Sequence, residues 1–301
     1  MASNDPWASG GGFLIPSAYL QEWTAKAPWP DPRQVEQDLI ICRALCDLFN
    51  ASELQGKIAF RGGTALHKLL FAQPLRYSED IDLVQTKAEP IGATVNAVRK
   101  ALSWLGDCKR EQAGHSIHLI FRYVPEADAS TKLKLKVEIN TREHVCLLGL
   151  KRYPFSVNSR WHQGKTEVVS FEPEELFGTK LRALLQRRKN RDLFDLYEGL
   201  KQLNLDRGKL LTCFDHYLEL EGTPIHRAAA EERMLQKLER SLTEDIDPLL
   251  PAGVHFDQQE ALRAFAMVWN ELIVRIPGDA WKLSTKIMDD LRKKRFPDLL
   301  R

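Results

Sequence analysis

Eight consecutive residues, Lys132-Leu-Lys-Leu-Lys-Val-Glu-Ile139, alternate without a break between charged and apolar side chains. Side chains on an extended strand point to opposite faces with a period of two, so Leu133, Leu135, Val137 and Ile139 turn toward a core while Lys132, Lys134, Lys136 and Glu138 turn away. The segment therefore predicts a sheet with one polar face. Ile81, Leu83 and Val84 predict a second short strand around Asp80 and Asp82, and Ile117 to Tyr123 a third.

Helical periods flank these strands. Val35, Leu39, Cys42, Leu45 and Phe49 recur at helical spacing in a segment from about Arg33 to Asn50, and a further helix is expected from Thr64 to about Leu70. After Phe171-Glu-Pro173 the pattern is helical almost to the end, with Leu262, Phe265, Trp269, Leu272 and Ile273 as an apolar stripe. A chain of 301 residues can bury two cores. The expected architecture is α/β (α+β) in three parts. Residues 1–32 form an irregular segment holding Gly10-Gly11-Gly12, five prolines and one short helix after Ser17. Residues 33–170 form a domain with a mixed sheet and flanking helices, and residues 171–301 a helical domain.

Lys and Arg number 43 against 41 Asp and Glu, so overall charge does not mark a nucleic-acid binder and any such surface must be a local patch. The start, Met-Ala-Ser-Asn-Asp-Pro-Trp, lacks a basic stretch followed by an apolar one, and no run approaches the roughly 20 apolar residues of a membrane span. A cytoplasmic protein without membrane contact is the expectation. The five scattered cysteines, among them Cys42 and Cys46 on the apolar side of their helix, read as reduced, buried thiols.

The chemistry concentrates in Arg76-Tyr-Ser-Glu-Asp-Ile-Asp-Leu83. Asp80 and Asp82, two apart on a strand, share a face. Carboxylates about 4 Å apart repel by roughly 4 kcal/mol at an effective dielectric near 20, so they need a cation, a shared proton or full solvation. Hard oxygen ligands with open positions suit Mg²⁺ carrying a nucleoside triphosphate; the bland alternative is a solvated strand end. Upstream, Phe60-Arg-Gly-Gly-Thr-Ala-Leu66 offers Gly62 and Gly63, which let backbone amides approach an anion. A helix starting at Thr64 would aim its positive end at the same phosphate.

A glycine pair followed by a strand with two alternating acids resembles the DNA polymerase beta-like nucleotidyltransferase superfamily. The resemblance implies a third acid on a later strand, and Glu138 stands where it is expected; the separation of Gly63 from Asp80 is longer than the usual pattern. More narrowly, Gly62-Gly63-Thr64-Ala65-Leu66 with Arg76-Tyr-Ser78-Glu-Asp80-Ile-Asp82-Leu83 resembles the AbiEii/AbiGii (MenT-like) toxins of type IV toxin–antitoxin systems. A later block, Lys180-Leu-Arg-Ala-Leu-Leu-Gln-Arg-Arg-Lys-Asn-Arg-Asp192-Leu-Phe-Asp195, is similar to that family's motifs with an essential Lys and downstream Asp. The resemblance spans about residues 58 to 200. It implies a nucleotidyltransferase that uses a nucleoside triphosphate and Mg²⁺ or Mn²⁺. Asp80, Asp82 and Glu138 would serve the metal, Gly62, Gly63, Thr64, Arg76, Ser78 and Lys180 the nucleotide, and Asp192 or Asp195 a catalytic role. It also implies an RNA acceptor, most naturally a tRNA 3′ end, and an antitoxin encoded nearby.

The residues alone leave alternatives open. Lys180 flanks the stripe Phe177, Leu181, Leu184, so its stem can pack while its ammonium reaches a phosphate, or it is a surface lysine. Asp192 can act as a helix cap, with Asp195 in the favourable first turn. Arg187, Arg188, Lys189 and Arg191 form a basic cluster suited to RNA phosphates or to a solvated face, whereas Arg292-Lys-Lys-Arg295 reads as a solvated helix end. His115 and His118, three apart, face opposite sides and do not share a metal. Rival functions are transfer to a small molecule or protein, and a noncatalytic nucleic-acid-binding or regulatory protein on the same fold.

Overall fold

In the computed structural model, which describes residues 15–126, 130–240 and 242–300, a short helix, α1 (Ser17–Trp23), precedes the long α2 (Pro32–Asn50). Asp31 starts α2 by accepting a hydrogen bond from the Arg33 amide, and Pro32, which has no amide hydrogen to lose, takes the first helical position. Gly10-Gly11-Gly12 lies outside the described residues. The next elements are β1 (Ile58–Arg61), α3 (Gly62–Leu69), β2 (Asp80–Gln85) and α4 (Gly92–Ala101). The strands β3 (Cys108–Ala113), β4 (Ser116–Tyr123), β5 (Leu133–Asn140), β6 (Leu150–Asn158) and β7 (Gln163–Phe171) follow.

The seven strands make one mixed sheet in the order β3-β4-β5-β2-β1-β7-β6. β2 is parallel to β5 and antiparallel to β1, and β1 is parallel to β7. The strict alternation in β5 does what it predicts: Leu135, Val137 and Ile139 are fully buried. α2 packs on β6 and β7, burying Leu39, Ile40, Ile41, Cys42, Leu45 and Cys46. α3 begins at Gly62, two residues before the expected Thr64, because the chain passes from β1 into the helix without a loop.

Helices α5 (Pro173–Gln186), α6 (Arg191–Gln202), α7 (Arg207–Glu221), α8 (Arg227–Leu238), α9 (Gln258–Glu271) and α10 (Ser284–Lys294) complete the chain. By its contacts the chain divides at Phe171/Glu172 into a sheet unit and a helical unit. In the helical unit α5 packs on α7 and α6, and α6 on α9. A Cβ at Gly199 of α6 would lie 2.2 Å from the Phe177 ring, so this glycine sets how closely α6 approaches α5. The stripe expected in α9 is real but shifted: Ala261, Ala264, Phe265, Val268 and Trp269 are buried, Leu262 is half-buried, and Leu272 and Ile273 follow the helix end. Cys42, Cys46 and Cys213 are free and buried, Cys108 and Cys146 free and half-buried. Among the described residues no helix is long and apolar enough to cross a membrane.

Candidate nucleotidyl-transfer site

β1 and β2 run antiparallel with Arg61 opposite Asp82, so the turn that leaves β1 emerges beside the acids. Gly62 has φ +81°, where a side chain is strained, and a Cβ there would stand 2.0 Å from Asp82 Oδ2. A Cβ on Gly63 would stand 2.7 Å from Arg76 Nη2. Both glycines are thus demanded by contact, and the backbone runs directly against the carboxylate of Asp82. Arg61, which caps α3, makes no side-chain cap bond, so no cap competes for the first-turn amides of the helix.

The expected nucleotide residues around this turn brace it. Thr64 Oγ1 donates to the Asp80 carbonyl at 2.6 Å and lies 2.8 Å from Ser78 Oγ, which ties α3 to the start of β2. Arg76 is buried, and its Nη1 donates to the Tyr77 carbonyl at 2.9 Å. Behind them, buried Asp38 of α2 receives Lys68 of α3 at 2.5 Å and the Trp23 indole at 2.9 Å.

The parallel register of β2 and β5 sets Asp80 opposite Lys136 and Asp82 opposite Glu138. With a two-residue side-chain period, all four side chains share one face. Lys136 Nζ lies 3.0 Å from Asp80 Oδ2 and 3.2 Å from Glu138 Oε2, and His118 Nε2 of β4 lies 3.3 Å from Glu138 Oε2. Arg61 pairs with Glu143. Burial pushes the Asp82 carboxyl above its ordinary range, and the charges of Glu138 and Asp80 push it further. Burial also opposes the charges of Lys136 and Glu138, but here the partners win. The acids hold the Lys136 ammonium above its usual value, and Lys136, with a hydrogen bond from Ser116, holds Glu138 below the usual carboxylate range.

Among the described residues no three His, Cys, Asp or Glu side chains converge to hold a metal on their own. The donor set is a pair of carboxylates on one strand face, with Lys136 drawn between Asp80 and Glu138. That fits Mg²⁺, which commonly takes one or two protein carboxylates and completes its shell with water and substrate phosphates.

In the helical unit Lys180 of α5 stands between two acids of α6, its Nζ 3.0 Å from Asp192 Oδ1 and 2.8 Å from Asp195 Oδ2. The structure corrects the reading of Asp192 as a helix cap. Asn190 holds the cap position, and Asp192 is the second helical residue, buried against Lys180. Asp192 Oδ2 is buried without a hydrogen-bond partner. Asp195, expected in the first turn, lies one residue beyond it and faces the same ammonium. Lys180 is a buried ion-pair partner and not a surface lysine.

Arg187, Arg188 and Lys189 are exposed between α5 and α6. With Arg233, Lys237 and Arg240 they line a cavity of about 970 Å³ that also contains Glu239, Glu244 and Asp245. Lys237 and Arg233 donate to the Arg187 and Leu185 carbonyls. Among the described residues, the side chains of Arg187, Arg188, Lys189 and Arg240 make no hydrogen bond or ion pair. Half-buried Arg191 opens α6 and is not part of the lining.

Sequence reasoning missed Lys136, His118, Ser116 and Arg61 at the acid face. The alternation places Lys136 only on the outward, polar face of its strand. Its position two residues before Glu138 already put it on the same face, but the pairing of its strand with the one that carries Asp80 was not legible.

A mixed sheet carrying a glycine turn against an acid pair, with a third acid on the adjacent parallel strand, defines a nucleotidyltransferase fold. The chain belongs to the nucleotidyl transferase AbiEii toxin family of type IV toxin–antitoxin systems, whose sequence pattern matches residues 43–270. A search of curated proteins finds no match. Among solved structures the chain is similar to MenT4, a nucleotidyltransferase toxin from Mycobacterium tuberculosis H37Rv. The match has TM-score 0.62 and 15% identity, and it covers 95% of this chain and 98% of that one. It is also similar to a protein of H. pylori described as a nucleotidyltransferase (TM-score 0.48, 19% identity, 80% and 95% covered). A third is an antigenic nucleotidyltransferase-like protein from Paracoccidioides brasiliensis (TM-score 0.40, 18% identity, 64% and 96% covered).

Proposed function

We propose that the chain transfers a nucleotide from a nucleoside triphosphate to RNA, with a tRNA 3′ end as the acceptor, and that a separately encoded antitoxin restrains it. The observation that carries this reading is the contact between Gly62 and Asp82, which sets a phosphate-binding turn against the acid pair. Asp80 and Asp82 would hold a divalent cation, Mg²⁺ or Mn²⁺, together with the triphosphate, and when bound it would neutralise charge at the α-phosphate and on the leaving pyrophosphate.

The chain's own residues do the rest. Amides of Gly62, Gly63 and Thr64 bind the triphosphate, and Arg76 and Ser78 hold that turn in place. The acceptor hydroxyl oxygen forms a bond to the α-phosphorus, and the bond from that phosphorus to the bridging oxygen of the leaving group breaks. Pyrophosphate departs, and the hydroxyl proton passes to a site carboxylate. Lys180, Asp192 and Asp195 form a second functional element, a buried ion-paired cluster in which the lysine holds both carboxylates of α6 in place. Arg187, Arg188 and Lys189, with Arg191 beside them, contact RNA phosphates, because unneutralised cations around a concave surface attract a polyanion.

The test is incubation of the protein with each labelled nucleoside triphosphate, Mg²⁺ and total RNA. The reading expects label at tRNA 3′ ends. Label on a small molecule or on protein would replace the acceptor, and no metal-dependent turnover would remove the enzyme.

A further inference from the structure

One lysine stands among the acids of this face, and the register fixes where it stands. Lys136 and Glu138 are two residues apart on β5, and each faces one of the two aspartates across the β2–β5 pair. The ammonium sits between Asp80 Oδ2 and Glu138 Oε2, and Glu138 is engaged by His118 on β4 as well. Because β5 is a central strand with Val137 and Ile139 fully buried on its other face, the Lys136 backbone has no room to shift. Asp80 and Glu138 are thus already bridged by one cation. A second divalent ion bridging toward Glu138 would have to displace a tethered cation that is already hydrogen-bonding distance from both acids.

We propose that Lys136 is a built-in cation that takes the place of a second metal ion, so that the free protein binds one divalent cation, and binds it weakly, until nucleotide phosphates complete its coordination. This deepens the reading of Asp80 and Asp82 as the metal-binding pair. It assigns Glu138 to Lys136 and His118 instead of to metal, which departs from the third-acid role that the family resemblance implies. Weak binding before nucleotide arrives follows from like-charge repulsion: the ammonium stands beside the position the ion takes, and repulsion screened by solvent at these part-exposed side chains lowers affinity on the order of tenfold.

The test is Mn²⁺ titration of the full chain without nucleotide, with free Mn²⁺ read by electron paramagnetic resonance, on the wild type, Lys136→Met and Lys136→Arg. Folding is checked for each by circular dichroism and thermal melting. The wild type is expected to bind one Mn²⁺. Lys136→Met is expected to bind on the order of tenfold more tightly and to acquire a second ion. Lys136→Arg, which keeps the charge, is expected to match the wild type, and it also serves if the Met variant does not fold: loss of stoichiometric Mn²⁺ restraint in Arg would overturn the proposal. Equal affinity and stoichiometry in wild type and a folded Met variant would overturn it too, as would two ions on the wild type. Because no nucleotide is present, these outcomes are separate from failure of the transfer reaction itself.

Discussion

The sheet unit and the helical unit each set a lysine between two acids, and they do so under different terms. On the sheet, Lys136, Asp80 and Glu138 keep 24, 28 and 28% of their side-chain surface exposed. In the helical unit Lys180, Asp192 and Asp195 keep 11, 2 and 0%. The first cluster is in reach of solvent and ligand. The second is sealed, and its three charges depend on one another. Burying charge is repaid only by close partners, so deleting the lysine from the sealed cluster must cost stability, whereas deleting an acid from the open one must cost function.

Asp80→Ala gives the largest effect. Transfer should fall by roughly a thousandfold or more, since the proposed metal-binding pair is destroyed, while the melting temperature stays within a few degrees of wild type. A rate assay with a parallel melt checks both halves. Lys180→Met should lose about 3–5 kcal/mol of stability, because two buried carboxylates lose their counter-charge. Asp192→Asn keeps the shape and costs less. A stable Asp192→Asn protein that no longer transfers would mean that this charge is used in the reaction, and an active one would make the cluster structural; denaturant melts and rates on the two variants separate these.

Replacing Arg187, Arg188, Lys189 and Arg240 together by Gln is a smaller perturbation. It should weaken tRNA binding and flatten its dependence on salt by nearly one unit of slope per lost phosphate contact, leaving nucleotide affinity unchanged. Titrations of tRNA and of a nucleoside triphosphate at several salt concentrations measure this. An unchanged tRNA slope would leave the cavity as a solvated surface.

The smallest effect is a gain. The Asp82 carboxyl is held above its ordinary value by burial, Glu138 and Asp80, so the folded protein binds this proton more readily than the unfolded chain. Its charge therefore destabilises the fold above the raised folded value, and the penalty disappears below the unfolded value of about 3.9. In chelator, Asp82→Asn should melt a few degrees higher than wild type near neutral pH, and the gain should shrink to nothing as the pH falls toward 4. Melting curves across that range give the sign directly.

How much of this was legible follows from which residues carry local signals. The strict alternation of β5, the shared face of Asp80 and Asp82 and the glycine pair are short-range patterns, and the structure keeps each of them. The strands β1, β3, β6 and β7 escaped. β3 is an edge strand of mostly exposed polar residues without alternation, and β6, at the other edge, contains Pro154, which an edge tolerates. Lys136 and His118 escaped for another reason: their place depends on which strand lies beside β5 and in which register, and that is a long-range fact. Asp192 looked like a helix cap because caps favour aspartate, yet Asn190 started the helix two residues earlier, and the α5–α6 packing turned Asp192 toward Lys180.

The most direct measurement of the central claim is made on one variant, Asp82→Asn, with two readouts from the same preparation: labelled-nucleotide transfer to tRNA in Mg²⁺, and thermal melting in chelator at pH 7. The account predicts that label incorporation is lost while the melting temperature equals or exceeds that of the wild type. A variant that still transfers at a substantial fraction of the wild-type rate, or one that loses transfer only because it unfolds, would contradict it.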